Sequence, residues 1–170
     1  MFEGFEPVGP ENYFLKPGYI LVPRTPTVIS TVLGSCVAVC LYDRKRKTGG
    51  MNHFQLPSIG KLEEATARYG NVSTLALIGM MLEDGSKIKH LEAQVFGGAG
   101  NPGTPPKNIG MENIRMARLI LTRKHIPIVS EDVGGEKGRK VVYNTATNEV
   151  AVMKVGKIRQ GDWYPYVDQR

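Results

Sequence analysis

One cysteine and one histidine carry the chemistry this chain can perform by covalent catalysis. Cys36 follows Leu33-Gly34-Ser35 and opens an apolar run, while His53 stands in Met51-Asn52-His53-Phe54. A thiolate is the reactive form of cysteine, and a neighbouring imidazole both favours it and can take its proton. Glycine and serine just before the thiol leave backbone N–H groups free to face a substrate oxygen, the usual makings of an oxyanion hole. Composition alone leaves Cys36 divided between nucleophile and small buried side chain. His53, taken alone, reads as a hydrogen-bonded structural histidine, and it is pairing with Cys36 that gives it a role as base. Cys40, between Val39 and Leu41, reads as a core residue; His90 and His125, near element ends, read as structural. Cys36, Cys40 and His53 lack the paired-ligand spacing of zinc sites, so no metal and no cofactor is expected.

The elements that must position these residues are legible in the pattern. Val37 to Tyr42 is a continuous apolar run, as in a buried strand, and Asp43 to Gly49 is polar and ends in Thr-Gly-Gly, suited to a turn. Met51 to Leu56 then returns, so Cys36 to Leu56 reads as a β-hairpin. In such a hairpin the residue across from Cys36 falls within a few positions of His53. Opposed or diagonal side chains there lie roughly 5 to 8 Å apart between Cβ atoms, whereas a one-residue slip puts them on opposite faces. Tyr13 to Val22 suggests a strand interrupted at Pro17-Gly18, and Thr27 to Leu33 is β-branched and strand-like. Two helices are expected. Val72 to Asp84 carries Leu75, Leu77, Ile78, Met81 and Leu82; Met111 to Lys124 carries Ile114, Met116, Ala117, Ile120 and Leu121, with Arg115, Arg118 and Thr122 on its water side. Strands are expected at Leu91 to Phe96, Ile128 to Glu131, Arg139 to Tyr143 and Val150 to Val155. Gly97-Gly98-Ala99-Gly100 lacks a phosphate-loop pattern, with Pro102, Pro105 and Pro106 following, and suits a backbone that approaches substrate closely. Asp132-Val133-Gly134-Gly135 suits a tight turn. The result is an α+β (mixed α/β) class with mixed, largely antiparallel sheets flanked by helices. A single domain over 1–170 is expected, with an irregular arm over about 1–12 and a tail over about 157–170.

Bulk properties narrow the function classes. The chain has 170 residues, with 22 Lys+Arg against 16 Asp+Glu and a net charge of +6. That balance favours an acidic partner surface. The one basic run, Arg44-Lys45-Arg46-Lys47, sits between apolar segments and reads as a solvated loop rather than a nucleic-acid patch. Two cysteines do not make a disulfide framework, the first residues show no leader pattern, and no apolar run approaches the roughly 18 residues of a spanning helix. The expectation is a cytoplasmic chain with reduced thiols, no membrane insertion and no nucleic acid.

Larger blocks carry a resemblance. Leu33-Gly34-Ser35-Cys36-Val37-Ala38-Val39-Cys40-Leu41-Tyr42-Asp43 and Gly49-Gly50-Met51-Asn52-His53-Phe54-Gln55-Leu56-Pro57 resemble the chemoreceptor glutamine deamidase family CheD. So do Arg68-Tyr69-Gly70, Phe96-Gly97-Gly98-Ala99, Asn108-Ile109-Gly110 with Asn113, and Glu131-Asp132-Val133-Gly134-Gly135 with Gly138-Arg139. The resemblance implies hydrolysis of selected glutamine side chains on methyl-accepting chemotaxis receptors to glutamate, by a Cys-His-Thr triad. Cysteine and histidine carry over to Cys36 and His53. The threonine's place falls on Ser30 in an ungapped alignment, with Thr31 beside it, and either hydroxyl can orient an imidazole. Gly34, Ser35, Asn52, Gly97 and Gly98 are expected to position oxyanion or substrate. The implied fold is a mixed-sheet structure like that of toxin-type cysteine deamidases. The implied partners are the receptors and, for some members, the phosphatase CheC. The same acyl chemistry extends to glutamyl methyl esters. A different class of function, a module that docks on CheC or receptor helices with little catalysis, uses the same residues.

Overall fold

The computed structural model describes residues 9–100 and 108–156. The tail from Lys157, Pro102, Pro105 and Pro106, and the first eight residues of the arm lie outside them. Among the described residues, nine strands and two α-helices follow one another. They are β1 (Glu11–Phe14), β2 (Ile20–Leu21), β3 (Thr27–Leu33), β4 (Val37–Asp43), β5 (Thr48–Asn52), α1 (Gly70–Glu83), β6 (Leu91–Gly97), α2 (Ile109–Arg123), β7 (Ile128–Val133), β8 (Gly138–Asn144) and β9 (Val150–Val155). They form two mixed sheets, β1-β3-β8-β9 and β2-β5-β4-β6-β7. Among the described strands, β1 with β3 and β6 with β7 run parallel and the other pairs antiparallel. The α+β class expected from the alternation of strands and helices is the class observed.

The second sheet is the middle layer. Every residue of β4 is buried, because its two faces meet different partners. Val37, Val39 and Leu41 pack with Leu77, Ile78 and Met81 of α1 and Ile114, Ala117 and Leu121 of α2. Cys36, Ala38 and Cys40 face the other way, onto Ile29, Leu33, Val141 and Tyr143 of the first sheet. A continuous apolar run is what a strand buried on both faces requires. Its net yield is large, since burying one such aliphatic side chain is worth about 1.5–3 kcal/mol.

Four points differ from the sequence reading. The Tyr13 to Val22 strand is two strands in different sheets, β1 and β2, and the chain crosses between layers at Pro17-Gly18. Glu11 and Asn12 belong to β1, not to an irregular arm. Thr48-Gly49-Gly50 is not in the turn but in β5. The turn closes earlier, because one Asp43 carboxylate oxygen accepts the N–H groups of Lys45 and Arg46 and the Asp43 carbonyl accepts that of Lys47. The glycines are needed in the strand itself: a Cβ on Gly49 would run into the Tyr143 hydroxyl of the other sheet. Finally, α1 buries Gly70, Ser73, Thr74, Leu77, Ile78 and Met81, whereas Leu75 and Leu82 are exposed. The buried face is one step round from the expected stripe and includes two hydroxyls. In α2 the expected Ile114, Ala117, Ile120 and Leu121 are buried, together with Gly110 and Asn113, while Met116 is half-buried.

Candidate active site

The hairpin register decides what meets Cys36. Cys40 pairs with Met51 across β4 and β5, and the same register continues past β5 to a bridge between Val37 and Phe54. That bridge is closed by Val37 N–H to the Phe54 carbonyl at 3.1 Å and Phe54 N–H to the Val37 carbonyl at 2.9 Å. Cys36 therefore lies opposite Gln55 and diagonal to His53. Val37 and Phe54 both join the helix-side core, so the residues on either side of them, Cys36 and His53, turn to the other face together. The His53 backbone is fixed on its remaining edge as well. Its N–H donates to the Tyr19 carbonyl at 3.1 Å and its carbonyl accepts from Gly18 at 2.8 Å.

The imidazole is held from the first sheet. Thr31 Oγ1 lies 2.7 Å from His53 Nδ1 and 2.7 Å from the Leu15 carbonyl. A carbonyl can only accept, so the hydroxyl proton goes to Leu15 and Oγ1 is left to accept the Nδ1 proton. The other ring nitrogen, Nε2, then carries the lone pair. It is buried and has no hydrogen-bond partner among the described residues. Burial lowers the His53 pKa to about 4, with the nearby Leu15 carbonyl pulling it partly back. Burial pushes the Cys36 thiol up to about 11, against a smaller downward pull from its own backbone N–H. At neutral pH the pair is thus a thiol and a neutral imidazole, not an ion pair.

The loop before the thiol is built from backbone contacts. The Gly34 carbonyl accepts from Ala99 N–H at 2.9 Å and the Cys36 carbonyl from Gly98 N–H at 2.8 Å. The Ser35 carbonyl accepts from the side-chain amide of Asn113 at 2.9 Å, and the same NH2 donates to the Gln55 carbonyl at 3.0 Å. Carbonyl and N–H point opposite ways across a trans peptide. Pinning the Gly34 and Ser35 carbonyls therefore aims the Ser35 and Cys36 N–H groups away from Ala99 and Asn113. Neither N–H has an acceptor on another residue among the described residues, the Cys36 N–H facing only its own sulfur. Gly97 and Gly98 make this packing possible. Both have positive φ, +104° and +71°, and a Cβ on Gly97 would strike the Cys36 carbonyl. Behind them Arg139, 2% exposed, donates to Asp132 Oδ1 at 2.9 Å and to the Gly134 carbonyl at 2.7 Å.

Of the residues singled out in the sequence, the structure brings Cys36, His53, Thr31, Gly34, Ser35, Gly97 and Gly98 to one place. It does not bring Ser30, which alternates with Thr31 on β3 and so points from the opposite face. Nor does it bring Asn52, whose side chain accepts from Val39 N–H at 2.7 Å and donates to Thr74 at 3.4 Å, on the helix side of the middle sheet. Asn113 had no role assigned from the sequence. The available signal was a polar residue beside Ile114 and four before Ala117, on the face that the apolar period assigns to the core.

A family model described as CheD chemotactic sensory transduction matches residues 55–154. The probable chemoreceptor glutamine deamidase CheD 1 of Anaeromyxobacter dehalogenans (strain 2CP-C) is 42% identical over 138 residues, 80% of this chain and 80% of that protein. The probable chemoreceptor glutamine deamidase CheD of Trichlorobacter lovleyi is 44% identical over 141 residues, covering 82% of this chain and 88% of its own. That of Sulfurimonas denitrificans is 38% identical over 150 residues, covering 86% and 96%. With a buried thiol, an oriented imidazole and matches that run along most of its length, the chain belongs to the CheD family.

Proposed function

We propose that this chain deamidates glutamine side chains of chemoreceptors, with Cys36 as nucleophile, His53 as base and acid, and Thr31 as the residue that orients the imidazole. The observation that carries the reading is His53 Nε2, a buried nitrogen with no hydrogen-bond partner among the described residues, on the sheet face that also carries Cys36 one diagonal step away. The names of the relatives supply the substrate.

The chemistry follows from the neutral pair. As Sγ approaches the carboxamide carbon, the thiol proton passes to Nε2 and the Sγ–C bond forms. The carbonyl π electrons move to oxygen, where the Ser35 and Cys36 N–H groups are free to receive them. The imidazolium returns its proton to the amide nitrogen, the C–N bond breaks and ammonia leaves. Water then attacks the thioester, giving its proton to Nε2, the C–S bond breaks, and glutamate and the thiol are regenerated. No external reactant other than water is needed. A glutamyl methyl ester enters the same acyl-enzyme with methanol as leaving group, so methylesterase activity belongs to the same site.

The test incubates the chain with a receptor cytoplasmic fragment and maps Gln-to-Glu conversion by mass spectrometry. Conversion is expected with wild type and lost in Cys36→Ala; equal conversion by both would sink the reading. Docking on CheC is the alternative role, and it is favoured if wild type converts nothing yet binds CheC tightly.

A further inference from the structure

We infer that Asn113 is a positioning residue for the oxyanion site, acting through the Ser35–Cys36 peptide; this rests on the deamidase reading and deepens it. Asn113 is fully buried on the core face of α2, among Ile114, Ala117 and Leu121. Packing alone would be served there by leucine. Instead the amide donates twice, at 2.9 Å to the Ser35 carbonyl and at 3.0 Å to the Gln55 carbonyl. Its own Oδ1 has no partner among the described residues and is buried. Turning the amide over would set Oδ1 against two carbonyls, so the orientation is fixed by its neighbours. The side chain thus keeps an unmet acceptor in order to grip two carbonyls.

Those two carbonyls belong to the two arms of the site. Gln55 lies opposite Cys36 and two residues beyond His53, while Ser35 precedes the nucleophile. One NH2 group therefore touches both arms, whose spacing the Val37–Phe54 bridge already sets. It also acts on the oxyanion site directly. A hydrogen bond to a peptide carbonyl polarises that peptide and strengthens its N–H as a donor. The peptide gripped at Ser35 ends in the Cys36 N–H, which has no acceptor on another residue among the described residues. Asn113 touches neither substrate nor reacting atom. Its effect falls on the step in which negative charge develops on oxygen, and hence on kcat rather than KM.

The test compares Asn113→Asp and Asn113→Leu with wild type in three assays, with Cys36→Ala as background. These are deamidation of a receptor fragment, hydrolysis of p-nitrophenyl acetate, and alkylation of Cys36 by iodoacetamide. The first two pass through an oxyanion; the third is a displacement at carbon that does not. Deleting an oxyanion donor outright costs roughly 10²- to 10³-fold in kcat, so loss of a residue behind the donor is expected to cost about 10- to 100-fold. Both acyl reactions should fall together, with KM and the alkylation rate within about twofold of wild type. Asn113→Asp should regain kcat as pH falls from about 8 to 5, because a protonated carboxyl can donate one bond, and Asn113→Leu should not. The inference is overturned if both variants keep kcat within about twofold, or if alkylation falls in step with the acyl reactions. Should either variant fail to fold, wild type bound to a glutamyl-peptide aldehyde decides. The Ser35 and Cys36 amide protons and the Asn113 side-chain NH2 must shift together in the NMR spectrum, and a stationary Asn113 signal refutes the idea. Wild type that hydrolyses the ester but no receptor glutamine overturns the substrate reading and leaves the role of Asn113 to be judged on the ester.

Discussion

Replacing Thr31 with valine separates its hydroxyl from its shape. The side chain is fully buried, so an isosteric methyl leaves packing intact and removes one oxygen. Two groups then lose their partner: His53 Nδ1–H, 2.7 Å from that oxygen, and the Leu15 carbonyl, also at 2.7 Å. Each buried polar group left unmade costs about 1–3 kcal/mol, so Thr31→Val should lose roughly 2–4 kcal/mol of stability once the Leu15 carbonyl partly takes over the ring proton. Catalysis suffers separately. The hydrogen bond fixes the tautomer that leaves Nε2 free and strengthens when the ring becomes an imidazolium during reaction; a bond to a charged group is worth about 1.5–3 kcal/mol, which corresponds to a roughly 10- to 100-fold fall in kcat. KM should hold, because Thr31 is out of reach of solvent and substrate alike. Thr31→Ser keeps the oxygen and should retain most of kcat, while Ser30→Ala, altering the opposite face of β3, should change kcat by less than about twofold. The assay is ammonia release from a receptor fragment over a range of substrate concentration, with thermal melts alongside. Thr31→Val within twofold of wild type, or Ser30→Ala more damaging than Thr31→Val, would refute the assignment of the third residue.

Three further outcomes follow from the same geometry. His53 has a pKa near 4 in the fold and 6.5 when unperturbed, so between these values the unfolded chain binds the extra proton and folding is weakened as pH falls. Urea titrations should lose about 3 kcal/mol from pH 7 to 4 in wild type and visibly less in His53→Phe; equal slopes would remove the buried neutral imidazole from the account. Of the two thiols, Cys36 is 9% exposed and Cys40 fully buried, so iodoacetamide should modify Cys36 ahead of Cys40 under native conditions, and peptide mapping that finds Cys40 first contradicts the structure. Gly97→Ala combines a φ of +104° with a Cβ placed on the Cys36 carbonyl, and should cost at least about 2 kcal/mol and most of kcat; an active variant of normal stability would mean that the loop is not built as described.

The Cys36–His53 relation was legible because it is local. Both residues sit in one hairpin, and strand alternation plus a short turn confine the pairing to a few registers. The proposed third member was not legible in the same way. Thr31 reaches His53 across two sheets, through the packing of β3 on the middle layer, and no local pairing rule distinguishes it from Ser30. Asn113 reaches the loop from a helix on the opposite side of that layer, again by tertiary packing. Thr48-Gly49-Gly50 misled for a related reason. Glycine signals either a turn or a close approach, and the approaching group, the Tyr143 hydroxyl, lies far along the chain. In α1, Leu75 and Leu82 carried the apolar signal, yet Ser73 and Thr74 occupy the buried face, with Thr74 accepting from Asn52.

The constellation draws its parts from three layers: the orienting hydroxyl from the outer sheet, thiol and imidazole from the middle sheet, and the amide that grips both arms from a helix. No two layers suffice. On the proposed mechanism, a nascent or partly unfolded chain carries an ordinary cysteine, and the site is complete only once its layers have docked. Activity is thereby a readout of complete folding, and loss of activity under mild denaturant should accompany separation of the sheets rather than precede it.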